Sequence, residues 1–142
     1  MPSDIDPRVP GAPANASRTL LAAMARGARG RCPSCGTGGF FAKFLKPVSA
    51  CAACGQDWSH QQADDFPAYL VIFVIGHLLA PVIIAVQLAF APPVWVQMLL
   101  WVPLAAILMI ALLQPAKGAV IAVQWWFGMH GFDRPQRAES ER

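Results

Sequence analysis

Residues 61–117 read QQADDFPAYLVIFVIGHLLAPVIIAVQLAFAPPVWVQMLLWVPLAAILMIALLQPAK, and this stretch decides the fold. No Asp, Glu, Lys or Arg stands between Asp65 and Lys117. A helix needs about 20 apolar residues to cross a hydrocarbon layer of roughly 30 Å. The uncharged run therefore holds two crossings and a tight turn; it is too short for three and far too long for one. Residues 66–90 form the first expected span. Pro67 suits the first turn, where its missing N–H costs nothing. Asp64 or Asp65 is placed to cap that turn and to complement the positive end of its dipole. Ala91-Pro92-Pro93 makes the turn, and residues 95–114 form the second span, with Trp95 anchored at the far interface.

The whole composition agrees. Hydrophobic residues make up 56% of the 142 and charged residues 13%, against about 25% charged in an ordinary soluble domain. A dissolved enzyme built around a large concave site is excluded on that ground. Seven basic residues precede the first span (Arg8, Arg18, Arg26, Arg29, Arg31, Lys43, Lys46) and four follow the second (Lys117, Arg134, Arg137, Arg142). The turn between the spans has none. The positive-inside rule then predicts both termini in the cytoplasm. The net charge of +3 follows from topology and does not point to nucleic acid.

Outside the spans the chain divides by composition. Residues 1–17 read as a tail, with prolines and early acids where a secretory signal would carry a basic end and an apolar run. Residues 18–30 predict a short amphipathic helix, lying on the membrane surface or on the next module. Pro115 is expected to end the second span. Residues 116–130 are expected to form an interfacial helix anchored by Trp125 and Trp126, followed by a polar tail over 131–142.

Residues 31–60 form a distinct module. Cys32-Pro-Ser-Cys35-Gly36 and Cys51-Ala-Ala-Cys54-Gly55 are two matched knuckles, at a spacing that reads as a four-cysteine metal site. Two thiolates two residues apart grip one ion only if the backbone turns tightly between them, and a following glycine takes the positive φ that such a turn needs. Zinc is the expected ion, in a closed structural site without an open coordination position. Iron fits the same tetrahedron of sulfurs. Paired disulfides are disfavoured by the expected cytoplasmic location, and a redox dithiol by the four matched cysteines. Four thiolates on a divalent ion leave a charge of −2, with Arg31, Lys43 and Lys46 near in sequence to offset it. Between the knuckles, GGFFAKFLKPVSA reads as a hairpin. Its aromatics, with Trp58, either fill a mini-core or rest on the membrane or a partner. So small a module draws much of its folding energy from the metal.

His77 is the polar exception within the spans. It lies 11 residues past Phe66, about 16 Å along a helix and so near the bilayer midplane. An ionisable residue at that depth is a functional hypothesis by default. Pro81 removes the N–H that would bond the His77 carbonyl, and Gly76 admits another backbone. These three residues make one local polar defect. The expected role is a hydrogen bond to a neighbouring helix, through Gln97, Gln114 or a partner protein; a metal or haem ligand is the alternative. Pro103 interrupts the second span in the same way. Two kinked helices bury little against each other, which implies an oligomer or a larger membrane complex as partner, besides the lipid bilayer itself.

The succession RCPSCG, GGFFAKFLK, CAACG, ADDFPAYLVIFVIGH, a two-helix hairpin and a closing KG…WWFGMHGFD resembles the small bacterial membrane family catalogued as domain of unknown function nine-eight-three. The resemblance covers residues 31–133. It implies a zinc ribbon followed by a transmembrane hairpin in the bacterial inner membrane. It also implies a link to aa3-type cytochrome c oxidase, among whose genes members are often encoded. The expected function is a non-catalytic accessory or assembly protein of that respiratory complex. Copper or thiol handling for the oxidase is the second possibility, and a membrane-tethered ribbon binding nucleic acid or protein the third. No nucleophile–base constellation and no phosphate-binding loop is legible, so no enzyme is expected.

Overall fold

The computed structural model describes residues 19–132. The expected N-terminal tail, and the tail from residue 133 onward, lie outside the described residues.

Helix α1 (Leu20–Ala28) opens the described chain. The Thr19 side chain accepts from the Ala22 amide at 3.2 Å and caps it, supplying an oxygen to one of the first orphan N–H groups. Two short strands follow, β1 (Phe41–Lys43) and β2 (Lys46–Pro47), paired antiparallel. They are the hairpin expected between the knuckles. Helix α2 (Phe66–Phe90) occupies the first expected span. Pro67 sits in its first turn, but the Asp65 side chain makes no capping bond. Ala91, left-handed at φ 42°, turns the chain, and helix α3 (Val94–Trp126) returns.

α2 and α3 are both long and apolar enough to cross a membrane, and almost none of their most apolar windows is buried, 11% in α2 and none in α3. Leu70, Phe73, Leu88, Leu99 and Ile110 all face outward. A water-soluble protein does not sustain an apolar surface of that extent, so these helices are transmembrane and their solvent is lipid.

The largest departure from expectation is the length of α3. Pro115 does not end it, and no separate interfacial helix forms over 116–130. The helix runs unbroken for 33 residues, about 50 Å at 1.5 Å per residue. A proline costs its helix one hydrogen bond and crowds the carbonyl four residues back, but where no water competes for the backbone a membrane helix tolerates that loss. Packing of the last turns secures the rest. Gly118, Ile121, Ala122, Gln124 and Trp125 are all buried, against α1 and the cysteine module. Trp125 is therefore no lipid anchor: it is 3% exposed and belongs to the core. Trp126 is half-buried and packs on the same cluster. Trp95, at the opposite end of the hairpin, is 66% exposed.

α1 lies on this extension of α3. The crossing is so close that a Cβ on Gly118 would stand 2.0 Å from the Gly27 carbonyl oxygen, and one on Gly27 would stand 2.4 Å from the Gly118 oxygen. Only glycine fits at either position. Gln124 then clamps the chain ahead of α2: its Oε1 accepts from the Gln62 amide at 3.1 Å and its Nε2 donates to the Gln62 carbonyl at 2.8 Å. At the other end of the hairpin, the Gln97 amide donates to Gln87 and accepts from the Trp101 indole.

Gly118→Ala is expected to force α1 off α3. Overpacking of this kind typically costs about 1–3 kcal/mol. The change should lower the midpoint of thermal unfolding and expose the α1 amides to hydrogen exchange, while the helix content of α2 stays unchanged.

Candidate metal centre

The two knuckles fold alike because they are built alike. In the first, the Gly36 amide donates to the Cys32 carbonyl at 2.8 Å; in the second, the Gly55 amide donates to the Cys51 carbonyl at 2.9 Å. Both glycines have φ 74°, the left-handed turn that their sequence position implied. The β1–β2 hairpin between them brings the two knuckles face to face. Isolated bridges flank each one, Arg31 with Gly39 and Ala50 with Asp57.

The four sulfurs converge. Cys32 Sγ and Cys54 Sγ are 3.8 Å apart, as are Cys35 Sγ and Cys51 Sγ, and all four lie within 4.8 Å of one another. A tetrahedron of sulfurs about 2.3 Å from a central ion has edges of about 3.8 Å. The donor set therefore fits a four-coordinate metal ion such as zinc. Cys32, Cys35 and Cys51 are buried and Cys54 is half-buried. Gly38 makes the closure possible, since a Cβ there would meet Cys51 Sγ at 2.4 Å.

The protonation of the cluster is uneven. Burial pushes the Cys32 thiol up, and the neighbouring Cys54 and Cys35 charges push it further. Burial also pushes the Cys54 thiol up. Burial acts on Cys35 in the same sense, but there the Gly38 and Thr37 N–H groups and the Thr37 hydroxyl, 3.2 Å from the sulfur, outweigh it and bring the thiol down to about 6. Cys35 thus loses its proton at lower pH than Cys32 or Cys54.

A cation that the sequence did not single out lies against the first knuckle. Arg26, in the last turn of α1, donates from Nη1 to the Ser34 carbonyl at 3.1 Å. Its Nε is so near Gly36 that a Cβ there would stand 2.9 Å away. Arg31, Lys43 and Lys46, the cations expected to offset the thiolates, are exposed. His60 pairs with Asp57 at 3.6 Å and is outside the sulfur cluster.

Behind the sulfurs stands an aromatic core. Phe40 and Trp58 meet edge to face at 5.0 Å between centroids, and Trp58 meets Trp125 at 5.7 Å and Phe132 at 5.9 Å. Phe40 and Trp58 therefore fill a mini-core rather than rest on the membrane; only Phe44, at the hairpin tip, remains largely exposed. Phe132, expected in the polar tail, is buried. The indole N–H groups of Trp58 and Trp125 are buried without an acceptor among the described residues, each a penalty of about 1–3 kcal/mol. A core with such liabilities would gain from an ion held by the four sulfurs.

His77 is not among these groups. It lies on α2, exposed on the outer face of the hairpin with Gly76 and Pro81. Its Nδ1 bonds the Phe73 carbonyl of its own helix at 2.9 Å, not Gln97, which is held by Gln87.

Two outcomes follow for the centre. Gly38→Ala should lower the metal bound per chain, measured by elemental analysis of the purified protein, because the added methyl displaces Cys51. Zinc binding to the metal-free chain at pH 7.5 should release fewer than four protons, measured by titration in two buffers of different ionisation enthalpy. A ligand must be deprotonated to bind, and Cys35, brought down to about 6, has already lost its proton at that pH.

The family model described as "Protein of unknown function (DUF983)" matches residues 41–125, from the first strand through both apolar helices to Trp125. No curated protein and no solved structure matches the chain.

Proposed function

The chain belongs to the DUF983 family, and from that footing we propose that it is a non-catalytic accessory or assembly protein of a respiratory membrane complex, aa3-type cytochrome c oxidase. In this reading it sits in the bacterial inner membrane with both termini in the cytoplasm. Its four cysteines hold zinc as a structural ion. The oxidase enters through the gene neighbourhood that the family resemblance implies. One observation carries the accessory role: α3 runs without a break from the bilayer into the core of the cysteine module. A rod of that kind fixes a metal-stiffened knob rigidly at the membrane surface, an arrangement suited to docking on a larger complex. Four thiolates around one ion leave no open position for substrate, which supports a scaffold over a catalyst.

One feature favours a second reading, metal or thiol handling for the oxidase. Cys54 is half-buried while the other three are buried, so the cluster has an edge from which an ion such as copper could be passed on.

Gentle purification from the native membrane, with metal and co-purifying proteins measured together, separates the two. The accessory reading expects one zinc per chain, resistant to chelators, together with oxidase subunits. It also expects a deletion strain to assemble less oxidase. An unaltered amount and activity of oxidase in the deletion strain would overturn it. Exchangeable or copper-containing centres would favour the handling role.

A further inference from the structure

Gln87, Gln97 and Trp101 form one chain of hydrogen bonds in the hairpin; His77 is not part of it. Gln97 is bonded to Gln87 and to the Trp101 indole, so that interhelical partner is taken, and the one hydrogen bond of the His77 ring among the described residues goes to its own helix and not to Gln114. Its ring stacks on Phe73, centroids 4.1 Å apart, and its Nδ1 faces the Phe73 carbonyl at 2.9 Å. A carbonyl only accepts. The proton of the neutral ring must therefore sit on Nδ1, because the other tautomer would set lone pair against lone pair. That leaves Nε2 as a bare acceptor at mid-depth in the bilayer. One turn on, Pro81 lacks the N–H that the His77 carbonyl would receive. Two acceptors, a ring nitrogen and a carbonyl oxygen, are thus presented at one place where lipid tails offer no donor.

The place is also shaped. Ile72, Phe73, Gly76, His77, Ala80 and Pro81 line a shallow groove of about 370 Å³ on the outer face of α2. Nothing lies within 4 Å of where a Gly76 Cβ would be, so a second backbone can approach closely there, as small residues allow between membrane helices.

We propose that the Gly76–His77–Pro81 notch is an acceptor-only docking site for a transmembrane helix of another protein, one that presents hydroxyl or amide donors at its mid-depth. The complementarity excludes a second copy of this chain on the same face, since two copies would bring acceptor against acceptor. The proposal deepens the accessory reading by stating the chemistry of its partner, and it does not depend on that partner being the oxidase.

The test uses the full chain in vesicles of phosphatidylcholine and phosphatidylglycerol, labelled at its N-terminus for energy transfer. The probes are two lysine-flanked leucine peptides of membrane-spanning length, one all-leucine and one with two central serines a turn apart. The serine peptide should bind more tightly by roughly threefold to thirtyfold, the range that interhelical hydrogen bonds support. His77→Leu should reduce it to the all-leucine value. Because His77 faces outward, that variant should keep its helix content and bound metal, and nitrogen-15 resonance of the parent chain should find Nδ1 protonated and Nε2 bare. Equal binding of the two peptides, or a serine advantage that survives His77→Leu, would overturn the proposal. So would a protonated Nε2, self-association that depends on His77, or a His77-dependent Soret shift on adding ferric haem. None of these outcomes bears on oxidase assembly in the deletion strain, so the two ideas fail separately.

Discussion

Gly27 and Gly118 meet backbone to backbone, and the architecture outside the bilayer depends on that contact. With no Cβ on either side, α1 settles directly onto the emerging end of α3. The face of α3 that follows, Ile121, Ala122 and Trp125, then closes over Ala23 and the aromatic side of the cysteine module. A larger residue at the crossing would separate these layers. Trp125 would lose its place against Trp58, and Arg26 would be drawn away from the first knuckle that it covers. One point of close approach thus sets both the aromatic core and the charge environment of the four sulfurs.

The module and the hairpin solve opposite problems with the same helix. Within the bilayer α3 needs no core, because lipid accepts its apolar side chains and its own ladder satisfies the backbone. Outside, some thirty residues around four sulfurs are too few to bury a self-sufficient core. The last turns of α3 supply the missing wall, and Gln124 ties the chain before α2 to it through two bonds to Gln62. The four converging sulfurs, placed to hold a metal ion, mark where the remaining closure would come from. A knob held by a rod and a clamp has little freedom to tilt against α3.

Much of this was legible in the sequence because it rests on local properties. The uncharged run from Asp65 to Lys117 placed α2 at residues 66–90, since transfer of a helix into lipid depends on the segment's own composition. The knuckles were legible because the turn that grips an ion needs its two cysteines and its glycine within five residues. The hairpin between them followed from the same proximity. Less readable were groups whose role comes from a distant neighbour. Arg26 reads as one more basic residue of an amphipathic helix until α1 is laid across α3. Phe132 reads as part of a tail until it meets Trp58.

Taken alone, then, the sequence determined that this chain has two membrane helices and a four-thiol centre, because hydrophobic length and knuckle spacing act over a few residues. Only the tertiary structure decided that Pro115 would be overridden, that Trp125 would enter a core rather than the interface, and that His77 would turn its Nδ1 to its own helix. Each of those outcomes weighs a local preference against contacts made by residues far away in the chain. Pro115 asks for a break, but buried Gly118, Ile121 and Trp125 hold the helix together. Trp125 suits an interface, but Trp58 and Phe132 offer it a core. Such contests are decided by packing, and packing exists only once the chain has folded.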